Sequence, residues 1–264
     1  LGLDGLVCDL DGVLYRGPEP IPGAAEAVGR MVAGGLRVIY ATNNAMRTED
    51  ECRSRLGGLG LEPGPGEVLT SAVVTAEEMA RRGWAGRTVF LVGSEGIKLA
   101  LEEAGMALVD GEAARRAEIV VVSGDFNYTY DSVRTAAFAV RAGADFIATN
   151  DDPTFPAPDG LWPGAGALVA SIATASGRRP EVMGKPHLPM MEAAQRRLEG
   201  CRRIAALGDQ DSTDLAGGRL MGWMTVLVLS GVTDAAGAAA LTPPPDLVLP
   251  GLSQLEELLE RPES

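Results

Sequence analysis

Asp9 and Asp11 stand at the end of an apolar run and just before Gly12. Side chains two positions apart on a strand share a face, so the two carboxylates meet there while Leu10 turns toward the core. Crowding two anions is costly unless a cation or a shared proton compensates. Hard divalent ions such as Mg²⁺ favour oxygen donors. The carboxyl end of an early strand also suits the ligand crevice of an open α/β sheet. An Asp pair before Gly starts an ordinary turn equally well, so this motif alone leaves both readings open.

Other apolar runs also end in polar groups. Ile39-Tyr40-Ala41 leads into Thr42, Asn43 and Asn44, a hydroxyl and two amides able to hold phosphate oxygens without adding charge. The duller alternative is a helix cap, and Thr48 with Glu51 fits a capping box. Lys185 sits between Gly184 and Pro186, where restricted backbone freedom could aim an ammonium inward; most lysines are instead solvated. Asp209 closes Leu207-Gly208-Asp209, and Asp214 opens the next helix after Thr213. These acids either cap that helix or complete a metal site.

The elements that must position these groups alternate between β-rich runs and helical periods almost from end to end, the pattern of an α/β fold with a parallel sheet. Strands are expected at Gly5–Leu10, Arg37–Ala41, Ile119–Val122, Phe146–Ala148, Arg203–Leu207 and Met224–Leu229. Helices are expected at Gly23–Ala33, Thr48–Leu59, Ala72–Arg81, Gly96–Glu103, Tyr130–Arg141, Ala165–Ala175, Leu188–Leu198, Asp214–Met221 and Ser253–Glu260. Gly57–Gly66 and Pro153–Gly166 read as loops, and Arg178–Pro186 as a crossover between domains.

Composition narrows the function. A chain of 264 residues with 46% hydrophobic content supports one large domain or two moderate ones. Its apolar runs fall well short of the roughly 20 residues of a membrane span. A formal charge of -13 disfavours nucleic acid and anionic membranes as partners, since both are polyanions. Cys8, Cys52 and Cys201 form neither a CxxC pair nor zinc spacing, and an odd count argues against a disulfide framework, so a reducing cytoplasm is the expected home. No secretory leader is expected in the first ten residues, which already hold Asp4 and Asp9.

Taken in order, DxDG, hydrophobics-TNN, GKP and GDxxxTD resemble the haloacid dehalogenase (HAD) superfamily of phosphohydrolases. More narrowly, the chain is similar to the NagD-like and 4-nitrophenylphosphatase-like branch with a large α/β (C2-type) cap. Thr149-Asn150, Asp152 and Pro156, followed by Pro163-Gly164-Ala165-Gly166, resemble that branch's cap pattern. The resemblance implies that Asp9 attacks phosphorus and Asp11 serves as general acid, then base. Thr42, Asn43 and Asn44 hold phosphoryl oxygens, Lys185 neutralises charge, and Mg²⁺ rests on Asp9, the Asp11 carbonyl and Asp209. Asp214 supports Lys185 or a metal-bound water. Asn150 and Asp152 contribute to substrate binding from the cap. The chain departs from the family's GDxLxTDI at Gln210 and Asp211, and the extra carboxylate of Asp211 puts metal affinity and activity level in question.

The expected architecture is a doubly wound, Rossmann-like parallel-sheet core (1–76 and 184–264) interrupted by an α/β cap (77–183) that sets substrate specificity. The expected function is Mg²⁺-dependent hydrolysis of small phosphate monoesters through an aspartyl-phosphate. The partner is then a small phosphorylated metabolite, and assembly into a homo-oligomer stays open. The alternatives are a phospho-accepting signalling module, disfavoured by the long insertion between Asn44 and Lys185, and a catalytically weak phosphometabolite binder.

Overall fold

A computed structural model describes residues 1–157 and 159–260. The chain forms two compact units, one of residues 1–42, 50–69 and 185–264, the other of residues 43–49 and 70–184. Among the described residues no helix is long and apolar enough to cross a membrane.

The first unit is built on a six-stranded sheet in the order Leu247–Leu249, Met224–Val228, Ile204–Gly208, Gly5–Cys8, Arg37–Thr42, Val68–Thr70. From Leu247–Leu249 across to Arg37–Thr42 the neighbours run parallel. Gly5–Cys8 is buried along its whole length, as a strand covered by helices on both faces must be. Leu6, Cys8, Val38, Leu207 and Val226 share one core with the helix Ala24–Ala33. From Gly5–Cys8 the chain winds outward through Arg37–Thr42, then returns to the opposite side at Ile204–Gly208. That reversal is a topological switch point, where ligands of doubly wound sheets bind.

The inserted unit has its own parallel sheet, in the order Glu181–Val182, Asp145–Ala148, Ile119–Val122, Thr88–Val92, Ala107–Leu108. Strand alternation divides its core: Val120 and Val122 pack with Phe146 and Ile172, whereas Ile119 and Val121 pack with Met79 and Leu101. The expected break after residue 76 falls within the helix Ser71–Arg81.

Two local expectations are corrected. Thr88–Val92, missing from the expected strands, lies inside the inserted sheet. Pro153–Gly166 is not only loop, because Thr154–Ala157 pairs antiparallel with Gly160–Pro163. Among the described residues this hairpin pairs with no further strand, so both its strands are edges, where proline is tolerated. Pro158 lies outside the described residues.

Glu78 anchors the inserted unit's first helix. Its buried carboxylate accepts from Arg81 and Arg82, each at 2.8 Å, and Arg82 reaches on to Glu181 at 2.6 Å. Burial works against the charge, but the two guanidinium groups outweigh it and hold Glu78 below its ordinary value. Stability from a depressed carboxyl is complete above its unfolded-state value and is lost as pH falls through the folded one. Glu78→Gln is therefore expected to cost about 1–3 kcal/mol at neutral pH, with the difference shrinking in acid. Melting curves of both proteins across pH check this; a deficit that persists at low pH would show that Glu78 acts through packing rather than charge.

Candidate active site

The carboxyl ends of the two strands at the switch point carry the first acids. Asp9 follows Cys8 and Asp209 follows Gly208, with register Cys8↔Leu207 and the Asp9 N–H donating to the Leu207 carbonyl at 2.9 Å. The lysine lies between acids. The Nζ of Lys185 donates to Asp9 Oδ1 at 2.6 Å, to Asp214 Oδ1 at 2.7 Å and to the Ala41 carbonyl at 2.9 Å. An ammonium has three donors, and all are engaged. Ala41 immediately precedes Thr42, the buried last residue of its strand.

Asp9, Asp209, Asp214 and Lys185 are all buried. Burial pushes Asp9 well above the usual aspartate range, and Asp214 and Asp209 push the same way, while Lys185 pulls it down. Burial also opposes the Lys185 ammonium, yet the carboxylates of Asp214 and Asp9 win and hold it above its ordinary value. Asp209 is pushed up to about 6 by burial and by the Asp214 charge. One ammonium among three carboxylates leaves an excess of negative charge that a cation would relieve.

A carboxylate oxygen from each of Asp9, Asp209 and Asp214 lies within 4.8 Å of the others. Asp209 Oδ2 accepts from the Val232 N–H at 2.7 Å, whereas Oδ1 is buried without a hydrogen-bond partner. An all-oxygen cluster with an orphaned anionic oxygen fits a hard divalent cation.

Asp11 is not in that carboxylate cluster. It opens a turn in which the Gly12 N–H donates to the Tyr15 carbonyl at 2.7 Å. Burial and, after it, the Asp11 charge raise the Tyr15 phenol. Asp214 lies on a π-helical turn, Asp211–Leu215, a geometry often found at functional sites. The same turn sends Asp211 elsewhere: it pairs with Arg219 at 2.7 Å and does not belong to the acid cluster.

Asn43, Asn150 and Asp152 meet within the inserted unit. Asn43 Nδ2 donates to Asp152 Oδ2 at 3.0 Å, and the Asn43 carbonyl accepts from Asn150 Nδ2 at 2.8 Å and Ser71 Oγ at 2.7 Å. Asn44 is exposed, and its side-chain oxygen accepts from the Met46 N–H at 2.9 Å in a local turn. The sequence reading overlooked Ser71 and the segment Ser230–Thr233. A signal for the latter was present, since Ser230-Gly231 follows the end of the strand beside Asp209's own.

A haloacid dehalogenase-like hydrolase family model matches residues 6–107, and a HAD-hydrolase-like model matches residues 182–255. Over 254 residues the chain is 34% identical to the acid sugar phosphatase of Staphylococcus saprophyticus, covering 96% of each. The structure of p-nitrophenyl phosphatase from Archaeoglobus fulgidus matches with a TM-score of 0.90 at 33% identity, covering 97% of this chain and 99% of that one. Glycerol phosphate phosphatase from Mycobacterium tuberculosis, solved in complex with magnesium, matches with a TM-score of 0.88 at 33% identity, covering 97% and 78%. With its acids at the switch point and these likenesses along nearly its whole length, the chain belongs to the haloacid dehalogenase-like hydrolases, in their NagD-like and 4-nitrophenylphosphatase-like phosphatase branch.

Proposed function

We propose that the protein hydrolyses small phosphate monoesters with Asp9 as nucleophile and Mg²⁺ as cofactor. The observation that carries this reading is the buried trio Asp9, Asp209 and Asp214, two of them bonded to Lys185, with Asp209 Oδ1 left unpartnered. Asp9, Asp209 and the Asp11 carbonyl would hold the cation, with Asp214 supporting from behind through Lys185. When bound, the cation supplies countercharge for the dianionic ester and for Asp9.

The chain's own groups do the rest. Lys185 orients Asp9 by its hydrogen bond to Oδ1 and offsets charge on the phosphoryl oxygens. Asp9 attacks phosphorus, the ester oxygen leaves with a proton from Asp11, and Asp11 then takes a proton from the water that cleaves the aspartyl-phosphate. Dividing hydrolysis in this way replaces one difficult step by two easier ones. Thr42 and Asn43 hold phosphoryl oxygens, so that positioning and countercharge carry most of the catalysis.

Leaving-group choice belongs to the inserted cap, because the core residues address a generic phosphoryl group. Asn150 and Asp152 are assigned to it from the cap, and both also bond to Asn43. Sugar phosphates and glycerol phosphate, named in the relatives' activities, lead the substrate panel. A cytoplasmic location agrees with Cys8, Cys52 and Cys201 being outside any disulfide.

Phosphate release over such a panel with Mg²⁺ present tests the reading. Lys185→Ala is expected to depress kcat/KM for every ester by roughly 10²–10³-fold, since each presents the same dianionic group. A change in rank order among the esters, without a general loss, would move Lys185 from the phosphoryl group to the leaving group.

A further inference from the structure

We infer that Ser230–Thr233 is a positioning segment that fixes which oxygen of Asp209 faces the cation and ties that carboxylate to the turn following Asp11. The inference rests on the proposed cation at Asp9 and Asp209. Met224–Val228 lies beside Ile204–Gly208 in parallel register, Gly208 opposite Leu227, so the chain leaving the first strand passes alongside Asp209.

Hydrogen bonds tie this segment to the two acidic loops and to the hairpin after Gly12. The Val232 N–H donates to Asp209 Oδ2 at 2.7 Å, and Thr233 Oγ1 donates to the Asp209 carbonyl at 2.6 Å. Ser230 Oγ donates to the Gly12 carbonyl at 2.7 Å. The Arg16 Nε donates to the Ser230 carbonyl at 3.0 Å, so the small hairpin after Gly12 is held as well.

Glycine is required where these loops meet. A Cβ at Gly231 would overlap Asp209 Oδ2, and one at Gly12 would overlap the same oxygen while lying 3.0 Å from Gly231 Cα. Gly12 also has a φ of +80°, which disfavours any side chain. The backbone is thereby brought close enough for an N–H to hold the carboxylate.

The chemical consequence follows from occupancy. A carboxylate with both oxygens free can rotate and chelate; with Oδ2 on a fixed N–H its rotation is restricted, and the oxygen left uncommitted is Oδ1, which is buried and lacks a partner. Asp209 is thus preset to offer Oδ1 to the cation. Partners of ligating groups typically govern about 10–100-fold in metal affinity or activity. Val232 contributes through its main chain, its side chain being exposed, which explains why side-chain chemistry along the sequence did not single it out.

The test compares Ser230→Ala, which removes the hydroxyl held by Gly12, and Val232→Pro, which removes the N–H held by Asp209, using calorimetric titration with Mg²⁺ alone and turnover at rising Mg²⁺. Both variants are expected to weaken Mg²⁺ binding about tenfold or more, with kcat recovering once Mg²⁺ saturates and Ser230→Thr moving the affinity back toward the unaltered value. Unchanged Mg²⁺ affinity, or a kcat loss that saturating Mg²⁺ does not relieve, would overturn the inference. Should Val232→Pro fail to fold, Ser230→Ala decides alone. Absence of Mg²⁺ binding by the unaltered protein would sink the metal reading itself, a separate result from equal binding by protein and variants.

Discussion

Asp9→Asn is expected to lower kcat by about 10⁴-fold or more and to eliminate the phosphorylated protein. An amide has almost the shape of the carboxylate but lacks the charge that attacks phosphorus. Fold should survive, because the amide oxygen can still accept from Lys185 at the position of Asp9 Oδ1. Burial and two neighbouring carboxylates already oppose charge at Asp9, so neutralising it removes repulsion as well as an attraction. The melting temperature should therefore fall little, or rise. Acid-quenched protein analysed by mass spectrometry during turnover, alongside steady-state rates, checks both halves. Near-normal kcat in Asp9→Asn would transfer the nucleophilic role to another group or to water.

Exhaustive chelation is the second change with a large expected effect: turnover should disappear and return with added Mg²⁺. Carboxylate oxygens of Asp9, Asp209 and Asp214 lie within 4.8 Å of one another, with Lys185 bonded to Asp9 and Asp214, and an incoming phosphate would add two more negative charges. Without a cation that approach is opposed by the site itself. The same argument predicts a thermodynamic effect without substrate. At about 100 times its Kd, a cation that binds only the folded chain adds about 2.7 kcal/mol, read as a rise of several degrees in melting temperature. Turnover that persists after chelation, with no thermal response to Mg²⁺, would mean that the acid cluster is balanced by protons instead.

Much of the core was legible because its signals are local. Gly5–Cys8 reads as a buried parallel strand from its apolar run, and the acids after it and after Ile204–Gly208 stand at strand ends, where open sheets place ligands. Thr88–Val92 was harder. A short apolar run between two helical patterns carries no decisive period, and its place within the inserted sheet comes from pairing with Ile119–Val122 and Ala107–Leu108. The prolines of Pro153–Gly166 announced a loop, and only the pairing of Phe155 with Trp162 and its neighbours made part of it a hairpin.

The sequence by itself determined the order of chemical groups, because each acid, hydroxyl and lysine is tied to a strand or helix whose period is written in adjacent residues. It could not decide which acids would meet. Asp211 and Asp214 differ by three positions, yet the π-helical turn sends one to Arg219 and the other to Lys185. Asp209 finds its donor at Val232, and Asn43 finds Asn150 and Asp152 more than one hundred positions away. Such partners are selected by sheet register and by how closely two backbones can approach, quantities that exist only after distant segments have packed.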